Sequence, residues 1–136
     1  MSLLNRSDNK QNVGWLGEQE ASKFLKKKGY RIVARNVHAG KSEIDIIASK
    51  GDVLVFIEVK SRSYEADKTY YSRPADSVNK DKTAYLIRGA GRYCAENGAE
   101  FSSFYKRFDI IEVYFEKSGK KLKVADIRHF ENAIGR

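Results

Sequence analysis

Between Ser42 and Arg62 the chain holds two β-rich runs, Ser42–Ala48 and Val53–Arg62, around the polar turn Ser49-Lys50-Gly51-Asp52. Aliphatic and β-branched residues flanking a short glycine-bearing turn specify a hairpin. The segment Val53-Leu54-Val55-Phe56-Ile57 is apolar without a break, so its strand must be covered on both faces. That run then ends in Glu58 and Lys60, two charges where the pattern predicts burial. A local rule broken inside an otherwise consistent pattern marks a functional site.

Centring the turn on Lys50-Gly51 sets Ser49 opposite Asp52, Asp45 opposite Phe56 and Glu43 opposite Glu58. Strand side chains alternate between faces and opposed residues share one, so Glu43, Asp45, Glu58 and Lys60 are expected on one side. Asp45 is then diagonal to Glu58, roughly 7–8 Å away along the backbone, within reach of one shared ion. Carboxylates held this close repel unless a cation lies between them. Hard oxygen donors beside a lysine, with no histidine or cysteine near, suit Mg2+ or Mn2+ rather than zinc. Asp45 and Glu58 are the candidate metal ligands. Glu43 has two open roles, joining them or pairing with Arg35 or Lys41.

Ahead of the hairpin, Asn12 is an N-cap candidate for a helix running to about Lys28 and stopped by Gly29. Gly17, Ala21, Phe24 and Leu25 share one helical face. Glu18 lies at the edge of that face, and its position alone leaves open whether it looks into the sheet or to solvent. Tyr30–Arg35 alternates as a first strand, and Arg35, Asn36, His38 and Lys41 read as a polar loop. Gly40-Lys41-Ser42 imitates the tail of a phosphate-binding P-loop, but Arg35 stands where its first glycine is required and a strand follows, not a helix. From Ser63 to about Ser77 the chain is polar and irregular. Tyr70 and Arg73 there interleave aromatic and basic groups, as a substrate-binding loop does. A second helix is expected from Ser77 or Asn79 to Asn97, with Val78, Tyr85, Leu86, Ala90, Tyr93 and Cys94 on its apolar side. Phe108–Phe115 reads as a buried fourth strand and Leu122–Ile127 as a shorter fifth. Arg128–Arg136 is expected to be helical or irregular. The order is αβββαβ with a further strand, an α/β domain whose mixed sheet is flanked by helices.

Asp45, twelve intervening residues and Glu58-Val59-Lys60 resemble the bipartite signature of the PD-(D/E)XK nuclease superfamily. The chain is similar more closely to the YraN-type family of uncharacterised endonuclease-like proteins. The matching pieces are Gly17-Glu18-x-x-Ala21-x-x-Phe24-Leu25-x-x-x-Gly29-Tyr30, Arg35-Asn36, Glu43–Ala48 and Val55–Arg62. It departs from that family at Ser42, where glycine is usual. Archaeal Holliday-junction resolvases are more distant likenesses. The resemblance implies a restriction-endonuclease-like αβββαβ core and metal-dependent phosphodiester hydrolysis. Asp45, Glu58 and Glu18 would be metal ligands, with Lys60 as the catalytic group that orients the attacking water or neutralises developing charge. It also implies an assisting role for Lys82 at the start of the second helix, and leaves a homodimer open.

Twenty-six lysines and arginines against eighteen acids give a net charge of +8, which favours a polyanionic partner. Nucleic acid, DNA before RNA, is the expected partner, with Arg35, Lys41, Arg62, Tyr70, Arg73 and Lys82 as candidate contacts. The alternative is a nucleic-acid-binding module on a nuclease fold that does not cleave. A lone cysteine, Cys94, permits no intrachain disulfide and fits a reducing cytoplasm. Neither histidine pairs with it in a hydrolase pattern. No run is long enough to span a membrane, and the polar start lacks a signal peptide's apolar core. Residues 1–11 are expected as a flexible tail and 12–136 as one domain.

Overall fold

The computed structural model describes residues 9–65 and 80–133. Helix α1 (Asn9–Lys27) leads into the hairpin strands β1 (Arg31–Ala39), β2 (Ser42–Lys50) and β3 (Val53–Glu65). After the crossover come α2 (Lys80–Glu96), the single turn α3 (Gly98–Phe101), and strands β4 (Tyr105–Ser118) and β5 (Lys121–Phe130). One five-stranded sheet runs β1-β2-β3-β4-β5. Among the described strands only the β3–β4 pair is parallel, as the helical crossover between them demands. The expected αβββαβ core and its extra strand are therefore present. Among the described residues no helix is long and apolar enough to cross a membrane.

Each helix covers one face of the sheet. Val55 and Ile57 pack with Ala21 and Leu25 of α1, while Leu54 and Phe56 pack with Leu86 and Ala90 of α2. Alternate side chains of one apolar strand thus feed two cores, which is why β3 has no polar face until Glu58. The end of α1 is fixed by Gly29 at φ 93, with the Tyr30 amide on the Leu25 carbonyl and the Gly29 amide on the Lys26 carbonyl. That is the paired 6→1 and 5→2 closure of a glycine-stopped helix.

Several boundaries differ from expectation. α1 begins at Asn9, so Asn12 lies inside the helix and does not cap it. β1 continues through Asn36 and His38 to Ala39, and only Gly40-Lys41 remains as turn. Ser63–Glu65 extend β3, and the rest of the expected loop, with Tyr70 and Arg73, lies outside the described residues. Arg128–Phe130 belong to β5, paired with β4, where a helical or irregular end was expected.

The β2–β3 register also moves. Lys50 pairs with Val53, leaving Gly51-Asp52 as the loop, so each partner lies two residues from where a Lys50-Gly51 turn would put it. Gly51 adopts φ 60, the left-handed backbone that two-residue hairpin loops require and glycine supplies without cost. An even shift keeps each paired side chain on its face and, carried one step past the last pair Ile46–Ile57, would set Asp45 opposite Glu58 where a diagonal relation was expected.

Candidate functional site

The β2–β3 ladder ends at Ile46–Ile57, one step before Asp45 would face Glu58. Beyond it the Val59 amide donates to Asp45 Oδ2 at 2.8 Å, a side chain taking the place of a backbone acceptor. On the other flank, Asn36 stands between the pairs Arg35–Ile46 and Val37–Ile44 with φ 53. Asparagine tolerates that conformation better than most residues. At this point the alternation of β2 slips: Ile44 packs in the core under α2, but Ile46 packs in the core under α1. Asp45 sits at this break. Strict alternation does not hold across it, yet Glu43, exposed opposite His38, still lines the same groove as Asp45, Glu58 and Lys60.

Burial pushes the Asp45 carboxyl up to about 7, with Glu18, Glu58 and Glu43 adding to the rise against the opposing Val59 hydrogen bond. Glu18 is half-buried on α1, and its carboxyl is also raised, by burial first, against Arg35 and a hydrogen bond from Asn36. Its place comes from an unusually close approach of α1 to β3. A Cβ on Gly17 would stand 1.8 Å from Ser61 Oγ, so only glycine fits that contact as it stands. Arg35, expected to touch nucleic acid, lies 3.9 Å from Glu18 and donates to Gln19, which ties β1 to α1.

Glu58 and Lys60 continue the face of Leu54 and Phe56 past the cover of α2. Each is about nine-tenths buried, and Lys60 Nζ lies 2.7 Å from Glu58 Oε2. Asp45, Glu58 and Lys60 line one groove of about 360 Å³ with Lys41, Ser42 and Tyr85. Ser42 fits this wall closely. Its hydroxyl donates to the Tyr85 carbonyl, and a Cβ on Gly89 of α2 would stand 2.8 Å from its own Cβ. Tyr85, read from the sequence as apolar packing, is 38% exposed and forms the groove's rim.

Among the described residues no three His, Cys, Asp or Glu side chains gather into a self-sufficient metal cage. Mg2+ rarely needs one, being held by one or two carboxylates with water and substrate phosphate. Asp45 and Glu58 supply that donor set, and Asp45's raised pKa is the response of a buried carboxyl crowded by acids, which a cation would relieve. Their chemistry fits a hard divalent ion. Glu18, on α1, is near enough for its charge to raise the Asp45 carboxyl but does not line the groove.

Of the remaining candidates, Lys41 is exposed at the groove and Arg62 is half-buried two residues beyond Lys60. Lys82 lies in α2, with its side chain outside the described set. Two acids in the apolar run of β4 were not singled out from the sequence. Glu112, fully buried, pairs in register with Lys60 and accepts from the Tyr114 hydroxyl at 2.6 Å. Asp109, also fully buried, receives both Arg107 Nε at 2.9 Å and Nη2 at 2.8 Å, His129 Nε2 at 2.7 Å and the Asn132 amide at 2.9 Å. Lys28 Nζ contacts His129 Nδ1 at 2.8 Å, and an ammonium can only donate. His129 thus bridges Lys28 and Asp109 through its two ring nitrogens. A charge within an apolar strand was the available signal for both acids.

A family model described as uncharacterised protein family UPF0102 matches residues 17–113, which include Glu18, Asp45, Glu58, Lys60 and Glu112. A UPF0102 protein of Pelotomaculum thermopropionicum is 38% identical over 128 residues, covering 94% of this chain and 99% of the relative. One from Alkaliphilus oremlandii is 40% identical, covering 90% and 97%. One from Symbiobacterium thermophilum is 46% identical over 101 residues, covering 74% and 80%.

Proposed function

The chain belongs to uncharacterised protein family UPF0102, and from the geometry of its site we propose that it is a divalent-metal-dependent nuclease hydrolysing phosphodiester bonds in DNA. The observation that carries this reading is the convergence of Asp45, Glu58 and Lys60 on one open groove at the break between β2 and β3. A hydrolase for phosphodiesters needs anionic ligands for a metal and a fixed positive charge beside the reacting phosphate. All three groups are present, and each is held by the sheet. The likeness of Asp45…Glu58-Val59-Lys60 to the PD-(D/E)XK nuclease signature supports the same reading.

Asp45 and Glu58 would hold Mg2+ or Mn2+, with Glu18 adding negative charge from the α1 side. When bound, such an ion supplies Lewis-acid stabilisation of the charge that builds on a phosphodiester. Lys60, braced by Glu58 on its own strand, presents an ammonium whose position is set before substrate arrives. The Val59 amide holds Asp45 through Oδ2, which fixes the carboxylate where it lines the groove. The basic balance of the chain supplies the long-range attraction for a polyanion.

The test is a cleavage screen on duplex, branched, flapped and single-stranded DNA and on RNA, each with Mg2+ and Mn2+. Calorimetric titration with Mn2+ runs beside it. The reading expects metal binding and cleavage of at least one DNA form. Metal binding without cleavage of any substrate would leave a non-catalytic nucleic-acid-binding module, and absence of both would end the nuclease assignment.

A further inference from the structure

We propose that the basic groove between the β1–β2 turn and α2 is a second phosphate-binding subsite, which holds the nucleic-acid strand beside the carboxylate site. The groove has a volume of about 380 Å³ and is lined by Gly40, Lys41 and Ser42 on one side and Tyr85, Arg88 and Arg92 on the other. It rests on the nucleic-acid reading above, but it concerns different residues and a different step, the seating of the strand.

Three observations carry it. The first is continuity: Lys41, Ser42 and Tyr85 line both this groove and the one holding Asp45, Glu58 and Lys60. Ser42 is three residues from Asp45 along β2, roughly 10 Å at the rise of a strand. A chain with one phosphate at the carboxylates can therefore lay a neighbouring phosphate here.

The second is charge. Tyr85, Arg88 and Arg92 follow one another at i, i+3 and i+7 and so share a face of α2. With Lys41 they make three cations around one hollow, next to a site made of acids. Arg92 is matched by Glu96 at 3.3 Å, but both side chains are 60% exposed, and such a pair yields to a phosphate at little cost. Arg88 lies over the Tyr85 ring at 5.0 Å, which engages the face of the guanidinium and keeps its in-plane N–H donors for a phosphate.

The third is the way the helix is seated. Glycine in a helix interior costs about 1 kcal/mol relative to alanine. Gly89 is placed where any side chain would collide with Ser42, at 2.8 Å from its Cβ. That seating brings Arg92 Nη1 to 3.5 Å from where a Gly40 Cβ would lie. The helix is lowered onto the turn at the point where its arginines border the groove.

The experiment is fluorescence anisotropy of the full chain with labelled single-stranded and duplex DNA, in EDTA so that cleavage and metal play no part. It compares wild type, Arg88→Ala/Arg92→Ala, and Lys120→Ala/Lys121→Ala, which removes the same charge from the distant β4–β5 turn. The arginine pair should lose about 10- to 100-fold in affinity, and its salt slope should fall by about two, one for each phosphate contact. The lysine pair should lose far less. Equal losses in the two pairs would reduce the effect to net charge and overturn the subsite. So would wild-type chain that binds no nucleic acid, or that binds polyglutamate as tightly as DNA, which would assign the groove to an acidic protein. Circular dichroism checks that both variants are folded, and the single variants Arg88→Lys and Arg92→Lys, which keep the charge, should recover most of the affinity. Failure here and failure of the nuclease reading are separable. Cleaving protein unaffected by the arginine pair loses only the subsite, whereas tight, arginine-dependent binding with no cleavage in any metal loses only the enzyme.

Discussion

The backbone amide of Val59 reaches across to Asp45 Oδ2 at 2.8 Å, where the ladder between their two strands has already stopped. The site is built on this exchange. A carboxylate that accepts a strand's amide is held rigidly, yet it takes the strand pair apart and opens a groove beside Glu58 and Lys60. The cost is a buried acid among Glu18, Glu58 and Glu43.

That cost is measurable as a pH dependence. The Asp45 carboxyl moves from its ordinary 3.8 to about 7 in the fold, burial being the chief cause. Below 3.8 both folded and unfolded chains hold the proton and the group costs nothing. Between 3.8 and about 7 the unfolded chain releases it while the fold keeps it, so stability falls as pH rises through that window. Above it the loss is complete. Asp45→Asn keeps an oxygen for the Val59 amide and removes the charge. It should raise Tm at pH 8, by the equivalent of about 2–4 kcal/mol, and leave Tm nearly unchanged at pH 4. Thermal unfolding at both pH values decides it, since a shift of the same size at each would point to packing and not to charge.

Gly17 gives a second prediction. Alanine is ordinarily the better helix former by about 1 kcal/mol. Here its Cβ would meet Ser61 Oγ at 1.8 Å and Ser61 Cβ at 3.0 Å. Gly17→Ala should therefore destabilise by about 1–3 kcal/mol, the usual cost of overpacking. Ser61→Gly in the same chain should recover most of it. Denaturant unfolding of the two single variants and the double closes the cycle, and purely additive losses would mean that the contact is not the cause.

A third concerns the buried acid of β4, Asp109. Burial pushes the Asp109 carboxyl up, but hydrogen bonds from His129, Arg107 and the Asn132 amide outweigh it and hold it below its usual range. A depressed carboxyl contributes stability that is fully present above the unfolded value and lost as pH falls through the folded one. Asp109→Ala leaves Arg107 and His129 without their shared acceptor and should cost about 3–5 kcal/mol. The loss should shrink in strong acid. Metal binding at Asp45 should survive in the folded fraction, because Asp109, Arg107, His129 and Asn132 line no part of the groove. Urea unfolding with Mn2+ titration below the transition tests both halves.

The fold was legible where the pattern was local and strong. Val53–Ile57 could only be a strand covered twice, and Gly29 ended α1 by a conformation it alone adopts readily. Asp45, Glu58 and Lys60 stood out because charges interrupted an apolar run. What could not be read depends on tertiary contact. The slip at Asp45 needs Asn36 across the strand pair, and no period within β2 foretells it. The two-residue register error came from choosing which turn residue takes positive φ, a choice that Lys50-Gly51 and Gly51-Asp52 both permit. Tyr85 looked like core by helical spacing, but Gly89 seats the helix so that Tyr85 borders the groove. Asp109 and Glu112 were passed over although Arg107 and Tyr114 stand two residues away on the same strand face; only His129 needed the pairing of β5 with β4.

The last prediction separates Asp45 from Lys60. Asp45→Ala takes a ligand from the metal site, so Mn2+ affinity and cleavage should fall together. Lys60→Ala leaves both carboxylates in place and removes the cation 2.7 Å from Glu58. A divalent ion then meets one fewer repelling charge, so Mn2+ should bind at least as tightly as in wild type. Cleavage should nonetheless drop by on the order of 100-fold or more, as when one preorganised electrostatic contact is lost from an active site. KM should change little, because the ammonium acts on charge that develops during the reaction. Calorimetry with Mn2+ and a cleavage time course on the best substrate read the two quantities independently. Wild-type cleavage by Lys60→Ala would make Lys60 a structural partner of Glu58, and the nuclease reading would lose the one group that distinguishes a catalytic centre from a metal-binding fold.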